Sequence, residues 1–209
     1  MVTMTPVLER WCDDCPFWTV EAEESHLAIA RSPAPNRVAA AAWALVAHGA
    51  GNVDLRADVP DAAGAVEAFL SADADENVAR HSPGGLRVVS GGCMIQPGCC
   101  LGLEEWRTWL RVLDGEEIWL GHSPDAVMEQ RGAVVRIWAD DDLVERCRTG
   151  PYVDLPRAAL PDLLQEVRRD LLGFLDALGS WARATVPTHA DRLVAAVDRR
   201  LVISPPLGL

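Results

Sequence analysis

The chain of 209 residues has no lysine, a single tyrosine and no long apolar run. Because no hydrophobic stretch approaches the ~20 residues that a membrane-spanning helix needs, the sequence predicts no transmembrane segment. The N-terminus has no basic region followed by an apolar stretch, so we expect no secretory signal and a cytoplasmic location. The six cysteines are then expected to be free thiols, metal ligands or catalytic groups rather than disulfides.

Acidic residues outnumber basic ones by 31 to 19, which gives a net charge of −12. Phosphate contacts need clustered cations, so this balance argues against binding to nucleic acid or to an anionic membrane. It suits either a basic protein partner, since opposite charge speeds encounter, or simply solubility. Trp11 and Trp18 flank the first two cysteines, and they are candidate partner-binding residues because tryptophan is enriched at interface hot spots.

The most informative stretch is residues 86–139, which holds four of the eight tryptophans, three of the six cysteines and His122. It predicts a strand at Leu86–Val89, a loop rich in glycine and cysteine, a helix over about 102–113 and two more strands. In that helix, one apolar face is expected to contain Trp106, Trp109, Leu110 and Leu113. The further strands are predicted at Glu117–Leu120 and Ala133–Trp138. The four tryptophans of this stretch could line an aromatic pocket, but the pattern of a helix face with flanking strands favours core positions: Trp106, Trp109, Trp119 and Trp138.

Periodicity predicts the remaining elements. Apolar residues from Leu160 to Trp181 recur every three or four positions, which indicates one long helix that Pro187 ends. Together these patterns predict one α+β domain: a mixed or antiparallel sheet, helices on one face and a C-terminal helical pair, with residues 1–80 as a candidate semi-separate lobe. The other elements are predicted as strands Phe17–Val20, His26–Arg31 and Asn52–Val59, a helix over 36–48, a helix capped by Asp61 and a last helix over 188–201.

Two groups of cysteines have a spacing that suits zinc. Cys12 and Cys15 form a CxxC pair, which lets two thiolates on a tight turn reach one ion. Cys93, Cys99 and Cys100 lie in a loop whose glycines let the backbone wrap closely around a centre. One hypothesis is therefore a structural zinc site made by Cys12, Cys15 and two of the three loop cysteines. The alternative is that these thiols are small buried hydrophobic residues.

A second hypothesis makes Cys99 or Cys100 a catalytic nucleophile. Both precede the expected helix start, where the helix dipole favours a thiolate. His122 is the candidate base because it lies in the same stretch on a polar turn, although a turn-capping role also explains it. The sequences that surround known cysteine nucleophiles are absent here.

The segments PGCCLGLEEWRTWL, WLGHSP and VVRIWAD resemble those of a group of uncharacterised actinobacterial proteins. In general layout, the chain is also similar to the SMI1/KNR4-like immunity proteins, α+β modules that bind and neutralise toxins. This resemblance implies protein binding. It implies no catalytic residue, because no immunity-family motif carries over residue by residue.

The sequence as a whole favours a non-enzymatic cytoplasmic protein-binding module, immunity- or adaptor-like, whose acidic surface engages a protein partner. The alternative is a zinc-supported or cysteine-dependent enzyme that uses the Cys93–Cys100 loop and His122. A deep polar pocket at that loop would favour the enzyme, and a flat acidic surface would favour the binding module.

Overall fold

The structure is a computed structural model that describes residues 1–10, 14–21, 24–75, 81–139 and 150–209. These residues form two β-sheets and several helices, so the predicted α+β class is confirmed. The strands are β1 (Thr3–Glu9), β2 (His26–Ala28), β3 (Gly84–Ser90), β4 (Cys93–Ile95), β5 (Val127–Arg131), β6 (Val134–Trp138) and β7 (Tyr152–Pro156). The helices are α1 (Pro35–Gly49), α2 (Ala62–Ala74), a 3₁₀ helix (Leu103–Asp114), a 3₁₀ turn (Arg157–Ala159), α3 (Leu160–Thr185) and α4 (Ala190–Leu201).

The described strands form two antiparallel sheets rather than the single sheet that the sequence predicts. The first has the order β2-β1-β3-β4, and the second has the order β5-β6-β7. Gly91 and Gly92 join β3 to β4 with φ of +57° and +85°. A two-residue hairpin turn of type I′ has positive φ at both central positions, which glycine adopts without steric cost.

The described chain divides into two compact units. The first consists of Met1–Val7, Pro83–Arg169 and Pro206–Leu209, and the second consists of Leu8–Ser82 and Asp170–Pro205. The semi-separate lobe predicted for residues 1–80 stays a prediction. The unit that contains most of those residues also takes in a C-terminal segment.

In the first unit, the 3₁₀ helix packs on β3, and β7 of the second sheet contacts β3 and β4. The core of this unit is large and apolar, with Trp106 and Trp138 fully buried. In the second unit, α1 and α4 both pack against α2. The alanine-rich middle of α1, Ala39–Ala42, is buried, and small side chains of this kind let helices approach each other closely.

The helix predicted after the cysteine loop is present, but its geometry is 3₁₀. Its buried residues recur every three positions: Leu103, Trp106, Trp109 and Val112. This is the spacing of a helix with 3.0 residues per turn. The predicted α-helical face is therefore wrong in part, because Leu110 and Leu113 are only half-buried.

Three predicted strands are wrong. Residues 52–59 form turns instead. The Asp54 carboxylate accepts hydrogen bonds from the backbone N–H groups of Arg56 and Ala57 at 3.0 and 3.2 Å. Hydrogen bonds between an aspartate side chain and its neighbouring backbone stabilise a turn, and they favour it over the strand that the alternating apolar residues predict. Phe17–Val20 and Glu117–Leu120 also lack strand structure.

Candidate metal centre

The candidate site lies where the cysteine loop of the first unit meets the segment that carries His122. The backbone N–H of Gly98 donates to the Leu120 carbonyl at 2.8 Å. The backbones of Cys99 and His122 then exchange two hydrogen bonds, with N···O distances of 2.7 and 3.2 Å. In an antiparallel pair of this kind, directly opposite residues place their side chains on the same face. The backbone therefore sets Cys99 beside His122.

Two glycines allow the close approach of these segments. A Cβ atom added to Gly98 would lie 2.5 Å from the His122 backbone nitrogen and 2.6 Å from the Gly121 carbonyl carbon. A Cβ atom added to Gly121, whose φ is +90°, would lie 2.5 Å from the Gly98 carbonyl oxygen. Because backbone atoms cannot move aside as a flexible side chain can, only glycine fits at both positions.

Three potential metal ligands converge on this scaffold. The Cys99 Sγ atom lies 3.1 Å from His122 Nδ1 and 3.8 Å from the Cys100 Sγ atom. One ligand atom from each of the three residues lies within 4.8 Å of the other two. In the described part of the chain, the histidine, cysteine and acidic side chains form no other such group of three.

The backbone of Cys100 brings the second sulfur to this side. Consecutive residues of an extended chain point to opposite faces, so Cys99 and Cys100 would ordinarily diverge. Cys100 instead has a left-handed conformation with φ of +64°, which ends the alternation. A left-handed non-glycine residue is strained by about 1–2 kcal/mol, and such strain concentrates at functional sites.

The cluster is open to solvent on one side. Cys99 is half-buried, whereas Cys100 and His122 are exposed. The indole of Trp119 packs edge-on against the His122 ring, with the ring centroids 5.6 Å apart, and 55% of its surface is exposed. The prediction of a core position is therefore wrong for Trp119, while Trp106, Trp109 and Trp138 are core residues.

The spacing of the two sulfurs fits a tetrahedral zinc ion. Sulfurs that each lie about 2.3 Å from such an ion are about 3.8 Å apart, and a sulfur and an imidazole nitrogen are about 3.6 Å apart. The Sγ atoms of Cys99 and Cys100 are already 3.8 Å apart. The 3.1 Å separation of Cys99 Sγ and His122 Nδ1 is that of a hydrogen bond, and binding of zinc would require the exposed imidazole to move about 0.5 Å away from the sulfur.

Among the described residues, the predicted metal ligands Cys15 and Cys93 are not part of this cluster. Cys12 lies outside the described residues. Cys93 is half-buried at the start of β4, where it pairs with Ser90. Cys15 belongs to the second unit, and burial raises the pKa of its thiol, while the backbone groups of Phe17 and Trp18 act in the opposite direction. The zinc site that includes Cys12 and Cys15 therefore stays a prediction.

The predicted partner-binding residues have different outcomes. Trp11 lies outside the described residues. Trp18 packs edge-on against Trp43 and Trp181, with centroid distances of 5.7 and 5.1 Å, and its indole N–H donates to the Ala39 carbonyl at 3.0 Å. These contacts give Trp18 a role in the packing of the second unit. Its contact with a partner, and the basic partner that the net charge indicates, stay predictions.

Sequence reasoning missed the positions that assemble the cluster. It included Gly98 in a flexible loop, but it gave no role to Gly121 or to the backbone of Cys100. The Leu-Gly-His and Pro-Gly-Cys-Cys segments each place a glycine one residue before a ligand. A glycine at this position in both segments indicates that the two backbones approach closely. The two segments must be compared with each other for this signal to be recognised.

The fold and the site define an α+β protein with a partly exposed cluster of two cysteines and one histidine. No family model, curated protein or solved structure matches the chain. Among the described residues, no helix combines the length and the apolar character needed to cross a membrane.

Proposed function

We propose that the protein binds one zinc ion through Cys99, Cys100 and His122, and that the ion keeps a fourth position open for water or a substrate. Among the described residues the cluster supplies three ligands, and three protein ligands with one open position are the pattern of catalytic zinc sites, whereas structural sites have four protein ligands. The cluster is exposed rather than set in a deep pocket, so the support for a zinc-supported enzyme comes from its ligand arrangement alone. Zinc held by these three residues would act as a Lewis acid, which would lower the pKa of a water molecule bound to it or polarise a substrate carbonyl.

The observation that carries this proposal is the left-handed backbone of Cys100. A cysteine nucleophile would need only Cys99 and its hydrogen bond to His122 Nδ1. It would not explain why a strained residue holds a second sulfur 3.8 Å away. A metal ion explains both sulfurs and the imidazole at once, because thiolate and imidazole are the ligands that zinc prefers.

The test is zinc binding by the reduced, full-length protein, measured by equilibrium dialysis against a competing chelator. We expect one zinc ion per chain. Cys99→Ser, Cys100→Ser and His122→Ala should each weaken binding more than tenfold, because each removes one of three ligands. Cys93→Ser is the matched control: it removes a cysteine of the same loop region that is not in the cluster, and it should leave zinc affinity unchanged.

A second measurement tests the open position. The protein loaded with cobalt should show the strong visible absorption of a tetrahedral ion and a sulfur-to-cobalt band that is weaker in each cysteine variant, because each variant keeps only one of the two thiolates. Adding imidazole should shift the visible bands, because imidazole enters the fourth position. A spectrum that imidazole does not alter would mean a closed structural site.

The dialysis experiment has its own contradicting outcome. If Cys99→Ser, Cys100→Ser and His122→Ala bind zinc as tightly as the Cys93→Ser control does, the zinc site is refuted.

A further inference from the structure

We infer that Cys99 and Cys100 exchange reversibly with small-molecule disulfides and close a disulfide between neighbouring residues, which releases the metal. The thiol chemistry follows from the geometry of the cluster alone, and the metal release rests on the proposed zinc site. The site would thereby hold its ion only under reducing conditions.

The two thiols differ in their exposure to solvent, and this difference determines which of them reacts first. Cys100 is exposed, whereas Cys99 is half-buried against His122. An incoming disulfide therefore reaches Cys100 first. The Cys99 sulfur is already 3.8 Å from the Cys100 sulfur, so it is the thiol placed to complete the exchange.

The reaction proceeds in two balanced steps. The Cys100 sulfur attacks one sulfur of an external disulfide R–S–S–R, forms Cys100–S–S–R and releases one R–SH, which takes the Cys100 proton. The Cys99 sulfur then attacks the Cys100 sulfur, forms the Cys99–Cys100 disulfide and releases the second R–SH. The Cys99 proton passes through His122, 3.1 Å from Cys99 Sγ, to that leaving sulfur. Both cysteines are oxidised, and one external disulfide is reduced to two thiols.

A disulfide between neighbours is readily reversed. The Cα atoms of adjacent residues are about 3.8 Å apart, below the roughly 4.4–6.8 Å span of ordinary disulfides. The resulting strain makes the bond easier to reduce, as expected of a labile rather than a structural disulfide. Bond formation also consumes both thiolates, so two of the three proposed metal ligands are lost together.

The experiment treats the reduced, metal-free protein with glutathione disulfide, blocks the remaining thiols with N-ethylmaleimide and analyses the peptides by mass spectrometry. The peptide that contains Cys99 and Cys100 should lose a pair of hydrogen atoms without retaining glutathione. Cys99→Ser should accumulate glutathione on Cys100, because the second step is blocked. Cys100→Ser should react at least tenfold more slowly, and the Cys93→Ser control should behave as wild type.

Adding zinc beforehand should slow the reaction at least tenfold, and one zinc ion should be released for each disulfide that forms. Two failures are distinguishable. If the reduced protein binds no zinc but closes the disulfide, the zinc proposal fails and the thiol exchange stands. If wild type stops at the glutathione adduct as Cys99→Ser does, or does not react at all, the exchange is overturned whatever the zinc affinity.

Discussion

Cys100 and Ser123 are two of three non-glycine residues with positive φ in the described chain, and each is next to a ligand of the candidate site. Ser123 directly follows His122, and Cys100 directly follows Cys99. The paired backbones of Cys99 and His122 hold both turns in place. Strain at these two residues therefore belongs to the architecture of the site rather than to a remote loop.

Replacing Cys100 by glycine or by alanine separates stability from metal binding. Glycine adopts a left-handed backbone without steric cost, whereas alanine retains the strain. We expect Cys100→Gly to be more stable than Cys100→Ala by about 1 kcal/mol, as measured by urea unfolding. Both variants should lose zinc binding. Equal stabilities would show that the left-handed conformation of Cys100 is not maintained in solution.

At the scale of elements, the 3₁₀ helix Leu103–Asp114 has an amphipathic pattern that fits two helix types. Trp106 and Trp109 lie on the buried face in either case. The next buried position distinguishes the 3₁₀ helix from the α-helix. A 3₁₀ helix buries Val112, three residues after Trp109, whereas an α-helix with this pattern would bury Leu113, four residues after it. Val112 is fully buried and Leu113 is half-buried.

Substituting those two neighbours tests the helix type. We expect Val112→Ala to destabilise the protein by about 2 kcal/mol, since it opens a cavity in a closed core. Leu113→Ala removes a larger side chain, yet its half-exposed position should limit the cost to about 1 kcal/mol. Urea unfolding of the two variants measures the difference. The reverse order of stabilities would indicate an α-helix at this position.

Two carboxylates of α2 pair with arginines of α4 at very different depths. Asp73 is 1% exposed and Arg200 is 3% exposed, and Arg200 Nε donates to Asp73 Oδ1 at 3.2 Å. Glu67 pairs with Arg192 at 2.7 Å on the surface. A buried pair becomes costly when one partner is removed, because the other charge stays buried, whereas an exposed pair contributes little.

Neutralising each carboxylate in turn measures this difference within one helix pair. Asp73→Asn should lower the free energy of unfolding by about 3–5 kcal/mol. Glu67→Gln, the matched control, should lower it by less than about 1 kcal/mol. Chemical denaturation at neutral pH supplies both values. Similar losses in the two variants would contradict the burial of the Asp73–Arg200 pair.

At the scale of the whole molecule, the stability of the fold changes with pH because ionisable groups titrate in different pH ranges. Burial lowers the pKa of His48, and the positive charges of His81 and Arg200 lower it further. The His48 and His81 ring centroids are 5.4 Å apart. The hydrogen bonds from Arg37 hold the pKa of Glu24 at about 2. Acid therefore weakens the fold first through a histidine and only later through this carboxylate.

The sign for His48 follows from its lowered pKa. Below the ordinary value of about 6.5, the unfolded chain takes up the proton before the folded chain does, so stability falls as the pH drops through that value. His48→Gln should reduce the loss of stability between pH 7.5 and 5.5, as measured by urea midpoints. Glu24→Gln should lower stability at pH values above about 4.5, and its difference from wild type should disappear as the pH falls toward about 2. An unchanged pH profile in His48→Gln would contradict the assignment.

Local patterns were sufficient where an element depends on its own residues. Asp61 was predicted to cap α2, and its carboxylate accepts the Gly64 N–H at 2.8 Å. The spacing of apolar residues predicted α3, and Leu164, Val167 and Leu171 are fully buried. Strand β1 was missed because its neighbour β3 lies about 80 residues further along the chain. The strand predicted at Asn52–Val59 was wrong because the Asp54 carboxylate accepts hydrogen bonds from two backbone N–H groups and stabilises a turn. The alternation of apolar residues carries no information about such hydrogen bonds.

The sequence by itself determined the α-helices, the α+β class, the net charge and the types of side chain available for chemistry. These depend on composition and on short-range periodicity. The tertiary structure alone decided which of these side chains meet. Cys99 and His122 are 23 residues apart, and their approach requires two glycines on separate segments and a left-handed turn at Cys100. Such contacts depend on long-range backbone pairing, which no local pattern encodes.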